Sequence, residues 1–387
     1  MKIGIPILDD KIGEIPNEVA ILLQAQPGID PTPFGLTISA NVLKTRTSCV
    51  YLVNNKPPST LRREALALGK DLFKYETAGI LSFVDAYSNY VGMPSEEKYT
   101  VKEPFSAESL IETVEIAIRG LRARSKNNFT VLDSISSYLD MGGELNEILY
   151  CIDCLKRGSV VLALFSAWKY PPKIVEKLKR NFNAVFAVKA VEELAILRNF
   201  MIPEKVAWKK IKKFSVPVKV LKPGGVKVYF PKILVTGPYK AGKSAIVKAI
   251  SKTSVSVDRA GTTIALDHGY LDYKGFSSDI FGTPGQESFD PLLEYLAEDA
   301  VAVILVLDST QPKTFIRAKQ MLEKTRSYYL PLVVAANKQD LKNALPTKKI
   351  RALLGLPKNI PILPTVATAK KGTGRLVDEL FKRLVAS

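Results

Sequence analysis

Gly237-Pro238-Tyr239-Lys240-Ala241-Gly242-Lys243-Ser244 is the stretch on which the reading of this chain turns. An apolar run, Lys232-Ile233-Leu234-Val235-Thr236, precedes it, and a helical pattern over 244–252 follows. Strand, glycine-rich turn and helix, in that order, give Gly-x4-Gly-Lys-Ser a physical meaning. The glycines let backbone N–H groups turn inward on phosphate oxygens, and the helix adds its N-terminal partial positive charge. Gly237 through Ala245 then form the cradle. Lys243 reaches the β- and γ-phosphates of a nucleotide, and the Ser244 hydroxyl coordinates Mg²⁺. A tight turn with no ligand is the bland alternative, and the flanking strand and helix weigh against it.

Three further segments follow in the order a guanine-nucleotide switch requires: Thr262-Thr263, Gly282-Thr283-Pro284-Gly285-Gln286-Glu287, and Asn337-Lys338-Gln339-Asp340. Any one could be chance; together they specify a phosphate cradle, two γ-phosphate sensors and a base reader. Asp340 can accept two hydrogen bonds from the N1–H and exocyclic amine of guanine, and adenine offers neither donor in that arrangement. A polar group left unpaired in a buried site costs about 1–3 kcal/mol or more, so discrimination is expected to be strong. Lys338 is expected along the base plane. Thr368-Ala369-Lys370 supplies a loop whose backbone N–H backs the guanine oxygen.

The 387 residues are long for a single core, and two domains are expected. Apolar residues at 47% and charged residues at 24% are those of an ordinary globular chain, not a disordered or membrane-embedded one. The net charge of +17 divides evenly, +9 from Tyr229 onward and +8 before it, so it is no basic tail. A Lys-rich surface is the plain reading, with anionic lipid or nucleic acid not the expected partner. Abundant Lys beside 3 Cys, 1 His and 5 Met hints at a thermophilic source. Cys49, Cys151 and Cys154 make no disulfide framework. Cys151-x-x-Cys154 could be redox-active or half a metal site, but no second pair exists and His268 is the lone histidine, so both read as packing residues of an amphipathic helix. Met1-Lys2-Ile3-Gly4-Ile5-Pro6 lacks a signal peptide's apolar stretch, and no run approaches the ~18 apolar residues of a membrane span. A reducing cytoplasm is the expected location.

The segment Val218 to Pro231 marks the boundary, with a Pro-Gly-Gly turn between two short alternating strands. Beyond it, Val301-Ala302-Val303-Ile304-Leu305-Val306-Leu307 and Leu332-Val333-Val334-Ala335-Ala336 are continuous apolar runs, as strands buried on both faces require. Helical patterns over 313–327, 348–354 and 374–385 lie between or after them, predicting a doubly wound parallel sheet. The first 220 residues alternate too. Val19-Ala20-Ile21-Leu22-Leu23, Ser48-Cys49-Val50-Tyr51-Leu52-Val53, Gly79-Ile80-Leu81-Ser82-Phe83-Val84, Phe129-Thr130-Val131-Leu132 and Val160-Val161-Leu162-Ala163-Leu164-Phe165 are β-rich runs, with helical segments such as 60–72 and 107–123 among them. The fold class is α/β throughout, in domains 1–227 and 228–387.

Residues 231–387 resemble a Ras-like small GTPase. The resemblance implies that Thr263, with Thr262 as its neighbour and alternative, closes on Mg²⁺ and the γ-phosphate. It implies that Gly285 bonds the γ-phosphate through its backbone and that Gln286 orients the attacking water, with Lys243 on the phosphates. Two departures stand out. The family's Asp-x-x-Gly is Gly282-Thr283-Pro284-Gly285 here, so the carboxylate that holds Mg²⁺ through water is missing. Asp279, three residues back, points to the opposite face by strand alternation. Similar variants occur among prokaryotic Ras-like proteins, so binding is expected to survive with altered Mg²⁺ affinity. Tyr239 and Lys240 stand where Ras proteins carry small glycines, and their bulk would obstruct an arginine supplied by an activator. Intrinsic hydrolysis is then expected to be slow. Arg259 is a candidate internal arginine, although a solvated loop cation is the simpler reading.

Residues 1–225 are similar to a KaiC-like, RecA-fold ATPase domain, with Gly4-Ile5-Pro6-Ile7-Leu8-Asp9-Asp10 as its first motif and Pro223-Gly224-Gly225-Val226 as its closing hairpin. The family's phosphate loop corresponds to Ala25-Gln26-Pro27-Gly28-Ile29-Asp30-Pro31-Thr32. Pro31 brings neither a cation nor an N–H, and Asp30 aims a negative charge at the phosphates. Asn55 and Lys56 stand at the paired catalytic glutamates, and only Walker-B-like Val131-Leu132-Asp133-Ser134 is kept. A nucleotide-free pseudo-ATPase is expected, the alternative being a weak ATP site. The two resemblances together imply a prokaryotic, archaeal chain with two P-loop-type doubly wound domains. They imply a GTP/GDP switch using Mg²⁺, with an unidentified effector, activator or exchange factor. The alternative is a nucleotide-loaded structural module with little turnover, and the first domain could also assemble with copies of itself into rings.

Overall fold

The computed structural model describes residues 1–121, 128–193, 196–257, 266–325 and 327–386. They divide into two compact units, Met1–Val228 and Tyr229–Ser387.

In the first unit the strands Ala20–Ala25, Ser159–Ser166, Asn128–Asp133, Ser48–Val53, Leu81–Asp85 and Tyr99–Thr100 lie side by side and run parallel. Ala184–Glu193 joins Ala20–Ala25 in parallel on the other side. Ile196–Val206, Val216–Leu221 and the first residues of Gly225–Thr236 then continue antiparallel. The inner strands Ser48–Val53 and Ser159–Ser166 are buried on both faces, which is why they read as nearly unbroken apolar runs. Ala107, Leu110, Val114 and Ala117 form the buried stripe of Ala107–Gly120 against Leu52, Val84 and Leu132. Ser106 caps that helix, accepting from the Ser109 N–H at 3.3 Å. The helix expected over 60–72 is two, Pro58–Ala67 and Phe73–Thr77. Gly69, at φ 69°, turns the chain between them and donates to the Leu66 carbonyl, a left-handed exit that glycine adopts without strain. The pattern read over 107–123 ends as a helix at Gly120.

In the second unit the order is Thr253–Val257, Leu266–Tyr273, Phe276–Gly282, the last residues of Gly225–Thr236, Ala302–Asp308, Leu332–Asn337 and Ile362–Pro364. The first three pair antiparallel, and the last four run parallel. Val303, Leu305, Leu307 and Val334 pack against Leu293, Phe315, Ala318 and Leu322. The helices are Lys243–Ile250, Asp290–Ala297, Phe315–Lys324, Thr347–Leu354 and Thr373–Ala386. The pattern read over 313–327 is shorter as a helix because Pro312–Thr314 forms a 3₁₀ turn before it. Among the described residues no helix is long and apolar enough to cross a membrane.

Candidate functional site

The strand ending at Thr236 has Phe276–Gly282 on one side and Ala302–Asp308 on the other, so chain order reverses there. In open α/β sheets the crevice at the carboxyl ends beside such a reversal is where ligands bind. Gly237-Pro238-Tyr239-Lys240-Ala241-Gly242 crosses that crevice and leads into the helix Lys243–Ile250.

Both glycines of the loop are forced by close approach. Gly237 has φ 149°, and a Cβ there would fall 2.1 Å from the Val306 carbonyl oxygen. Gly242 has φ 95°, and its Cβ would meet Asn337 Nδ2 at 2.4 Å. The helix begins on Gly242 with no side-chain cap, so its first N–H groups are left for an anion. Lys243 folds back over the loop and donates to the carbonyls of Gly237 and Pro238, both at 2.9 Å. Burial pulls its ammonium down to about 8; the charge of Asp267 works against that shift and Arg317 adds to it. A cavity of about 530 Å³ opens here, lined by Tyr239, Lys243, Ser244, Asp267, Gly285 and Gln286 among others. Volume would not have singled it out, since a larger cleft of about 860 Å³ lies at Glu294, Lys324 and Tyr329.

Asn337 ties three loops together. Its Nδ2 donates to the Ala241 carbonyl at 3.1 Å, and its Oδ1 accepts from the Ala367 N–H at 3.0 Å and the Thr365 hydroxyl at 3.4 Å. Lys338, at φ 62°, ion-pairs with Asp308 at 2.6 Å and donates to the Lys240 carbonyl at 3.0 Å. Asp340 is exposed just past it, as are Thr368, Ala369 and Lys370 on the facing turn. Phosphate loop, Asn337–Asp340 loop and the 367–370 turn thus form one hydrogen-bonded assembly.

Gly285 is buried against the phosphate loop, where a Cβ would sit 2.4 Å from Tyr239 N and 2.7 Å from Lys243 Nζ. Thr283 donates to Thr236 at 3.0 Å, fixing that segment to the central strand. Asp279 turns away as expected, bonding the Tyr229 hydroxyl and standing 3.5 Å from His268. Thr262, Thr263 and Arg259 lie outside the described residues. Two residues went unread in the sequence. Arg317 donates to the Gln286 carbonyl at 3.4 Å and pairs with Asp290, holding the segment that follows Gly285; nothing local in the sequence links positions 31 apart. Asp267 lines the cavity from the strand beside Gly282; pairing register alone could have revealed it.

The first unit's corresponding loop is arranged differently. Asp30 accepts from the Thr32 N–H at 2.9 Å, so its own carboxylate occupies the helix N-terminus. Thr32, Tyr51 and Asn55 donate to Asp133 at 3.4, 2.9 and 2.9 Å, enclosing the Asp133 carboxylate in protein donors. Burial pushes Asp133 up to about 6 against these donors. Lys56 is engaged with Glu64 at 3.0 Å. Cys151 is fully buried and Cys154 partly so on Leu145–Leu155, as packing residues, and burial pushes the Cys151 thiol up. No cluster of three or more His, Cys, Asp or Glu able to hold a metal occurs among the described residues.

Residues 225–387 match the family model described as the ADP-ribosylation factor family. ADP-ribosylation factor-like protein 3 of Chlamydomonas reinhardtii is 33% identical over 153 residues, 37% of this chain and 83% of that protein. The chain belongs to the ADP-ribosylation factor family. It does so through its second unit. Residues 1–157 match a model described as ATPase: KaiC. A UPF0273 protein of Methanopyrus kandleri is 30% identical over 158 residues, 40% of this chain, and the chain spans 61% of that relative's length. A solved KaiC-like protein from Pyrococcus horikoshii OT3 is 21% identical, covering 59% of this chain and 98% of that one, with a TM-score of 0.48. Two P-loop-type domains follow one another, a KaiC-like one and then a Ras-like G domain of the ADP-ribosylation factor kind.

Proposed function

We propose that the chain is a guanine-nucleotide switch that binds GTP and GDP with Mg²⁺ and hydrolyses GTP slowly, its first domain serving as a non-catalytic scaffold or partner-docking module. The observation that carries this reading is the Asn337 assembly. One side chain bonds both the phosphate loop and the 365–367 segment, so phosphate cradle and base reader are held in a fixed relation. Lys243 and the amides from Gly237 to Ala245 would hold the phosphates. Asp340 would read the guanine edge, with Thr368, Ala369 and Lys370 behind it. Ser244 and Thr263 are the assigned Mg²⁺ ligands, and the ion would neutralise charge on the phosphates. Gln286 would orient water, and Gly285 would sense the γ-phosphate. Exchange of GTP for GDP would then reorder the Gly285–Phe289 segment and whatever partner reads it. The self-capped Asp30–Thr32 turn and the enclosed Asp133 support a first domain that holds no nucleotide.

Calorimetry with GDP, GTP and ATP tests the reading. Tight binding of both guanine nucleotides and poor binding of ATP is expected, and D340N should loosen that preference. Equal ATP and GTP affinity in the wild type refutes the base-reading assignment.

A second reading, a nucleotide-loaded module with little turnover, is favoured by Tyr239. This residue is 52% exposed and lines the cavity, where an activator's arginine would have to come in. Single-turnover GTP hydrolysis in wild type and Q286L separates the two: equal rates support the module.

A further inference from the structure

Gly282 leaves its strand without the metal-holding carboxylate, and Asp279 is engaged elsewhere, with Tyr229 and His268. The neighbouring strand fills the gap. Leu266–Tyr273 runs antiparallel to Phe276–Gly282 in a register that sets Asp267 directly opposite Gly282. Residues opposite one another in an antiparallel pair project from the same face. A Cβ built on Gly282 would lie 2.9 Å from Asp267 Cβ and 3.1 Å from its Oδ2. A side chain at 282 and the aspartate at 267 would therefore claim one volume, and glycine is the complement that admits the aspartate. Asp267 is 4% exposed, and it lines the same cavity as Lys243, Ser244 and Gly285. The residues present fit a hard divalent cation: a hydroxyl and a carboxylate, both oxygen donors, border the phosphate cradle.

We propose that Asp267 is the carboxylate that holds the nucleotide's Mg²⁺, the role having moved across the strand pair from position 282 to position 267. The proposal rests on the guanine-nucleotide reading above. A carboxylate needed only as a counter-charge for Lys243 would act on nucleotide affinity without making it depend on Mg²⁺, and that difference is measurable.

The test follows release of a fluorescent GDP analogue from the full chain in Mg²⁺ and in EDTA. Wild type should release it at least about tenfold more slowly with Mg²⁺, a difference of about 1.4 kcal/mol. D267N should lose most of that ratio while still binding in EDTA, which also reports that it is folded. D267G/G282D, which returns the carboxylate to the other strand and leaves no Cβ at 267 to meet it, should recover the ratio. An unchanged ratio in D267N overturns the proposal. So does a double variant that binds in EDTA but stays insensitive to Mg²⁺, or a wild type whose release is equal in both. A chain that binds no guanine nucleotide under either condition overturns the switch reading itself.

Discussion

Raising the pH should weaken nucleotide binding through one residue, Lys243. Its ammonium is nearly buried, with two of its three donors on loop carbonyls, and burial lowers its pKa to about 8. A triphosphate placed against it favours the charged form, so the bound-state pKa moves back up. The sign follows from linkage. Below pH 8 the free lysine already carries its proton and binding exchanges none. Above it, binding must take a proton up. At pH 9 the free lysine is about 90% neutral, so uptake approaches one proton and affinity falls about tenfold from its plateau, or ~1.4 kcal/mol. Nucleotide phosphates ionise near pH 6, so they are already fully charged in this window. Calorimetry of GDP binding at pH 6.5 and 9, each in two buffers of different ionisation enthalpy, reads the proton count directly. K243R keeps a fixed charge and shares every other titration, so it should show no lysine-linked uptake. Equal proton counts for wild type and K243R at pH 9 would refute the assignment of Lys243 as a buried, phosphate-poised cation.

Two further outcomes are expected. N337A strands the Ala241 carbonyl and the Ala367 N–H, each worth roughly 1–3 kcal/mol, so guanine-nucleotide affinity should drop by about 10- to 100-fold while selectivity over ATP persists; a competition assay that finds selectivity lost and affinity kept contradicts the tie. In the first domain, Asp133 has a folded pKa of about 6, above its unfolded value, so the folded state binds more protons between roughly pH 4 and 6 and stability falls as pH rises through that window. D133N removes the cost, with a gain at pH 7 of at most on the order of 3 kcal/mol, read by hydrogen exchange of Asn128–Asp133; a gain that does not grow from pH 4 to 6 tells against it.

What the sequence determined alone is local in character. Gly237-x4-Gly242-Lys243-Ser244 carries its own conformation, since two glycines admit φ values of 149° and 95° and the lysine follows at fixed spacing. Unbroken apolar runs such as Ala302–Asp308 identify strands covered on both faces, because a parallel sheet leaves neither side to water. Pro31 and Asp30 likewise stand, by the resemblance, where a phosphate loop would carry its lysine and a glycine, a departure visible in the residues themselves. Strand register, helix packing and loop convergence were decided only in the folded chain. Asp267 acquires its place by pairing opposite Gly282, and a shift of one residue would turn it to the other face. Arg317 reaches Gln286 because Phe315–Lys324 packs beside the segment after Gly285, and Asn337 couples three loops far apart in the chain. Spacing encodes what neighbouring residues do to one backbone; contacts between distant segments depend on how every intervening element packs.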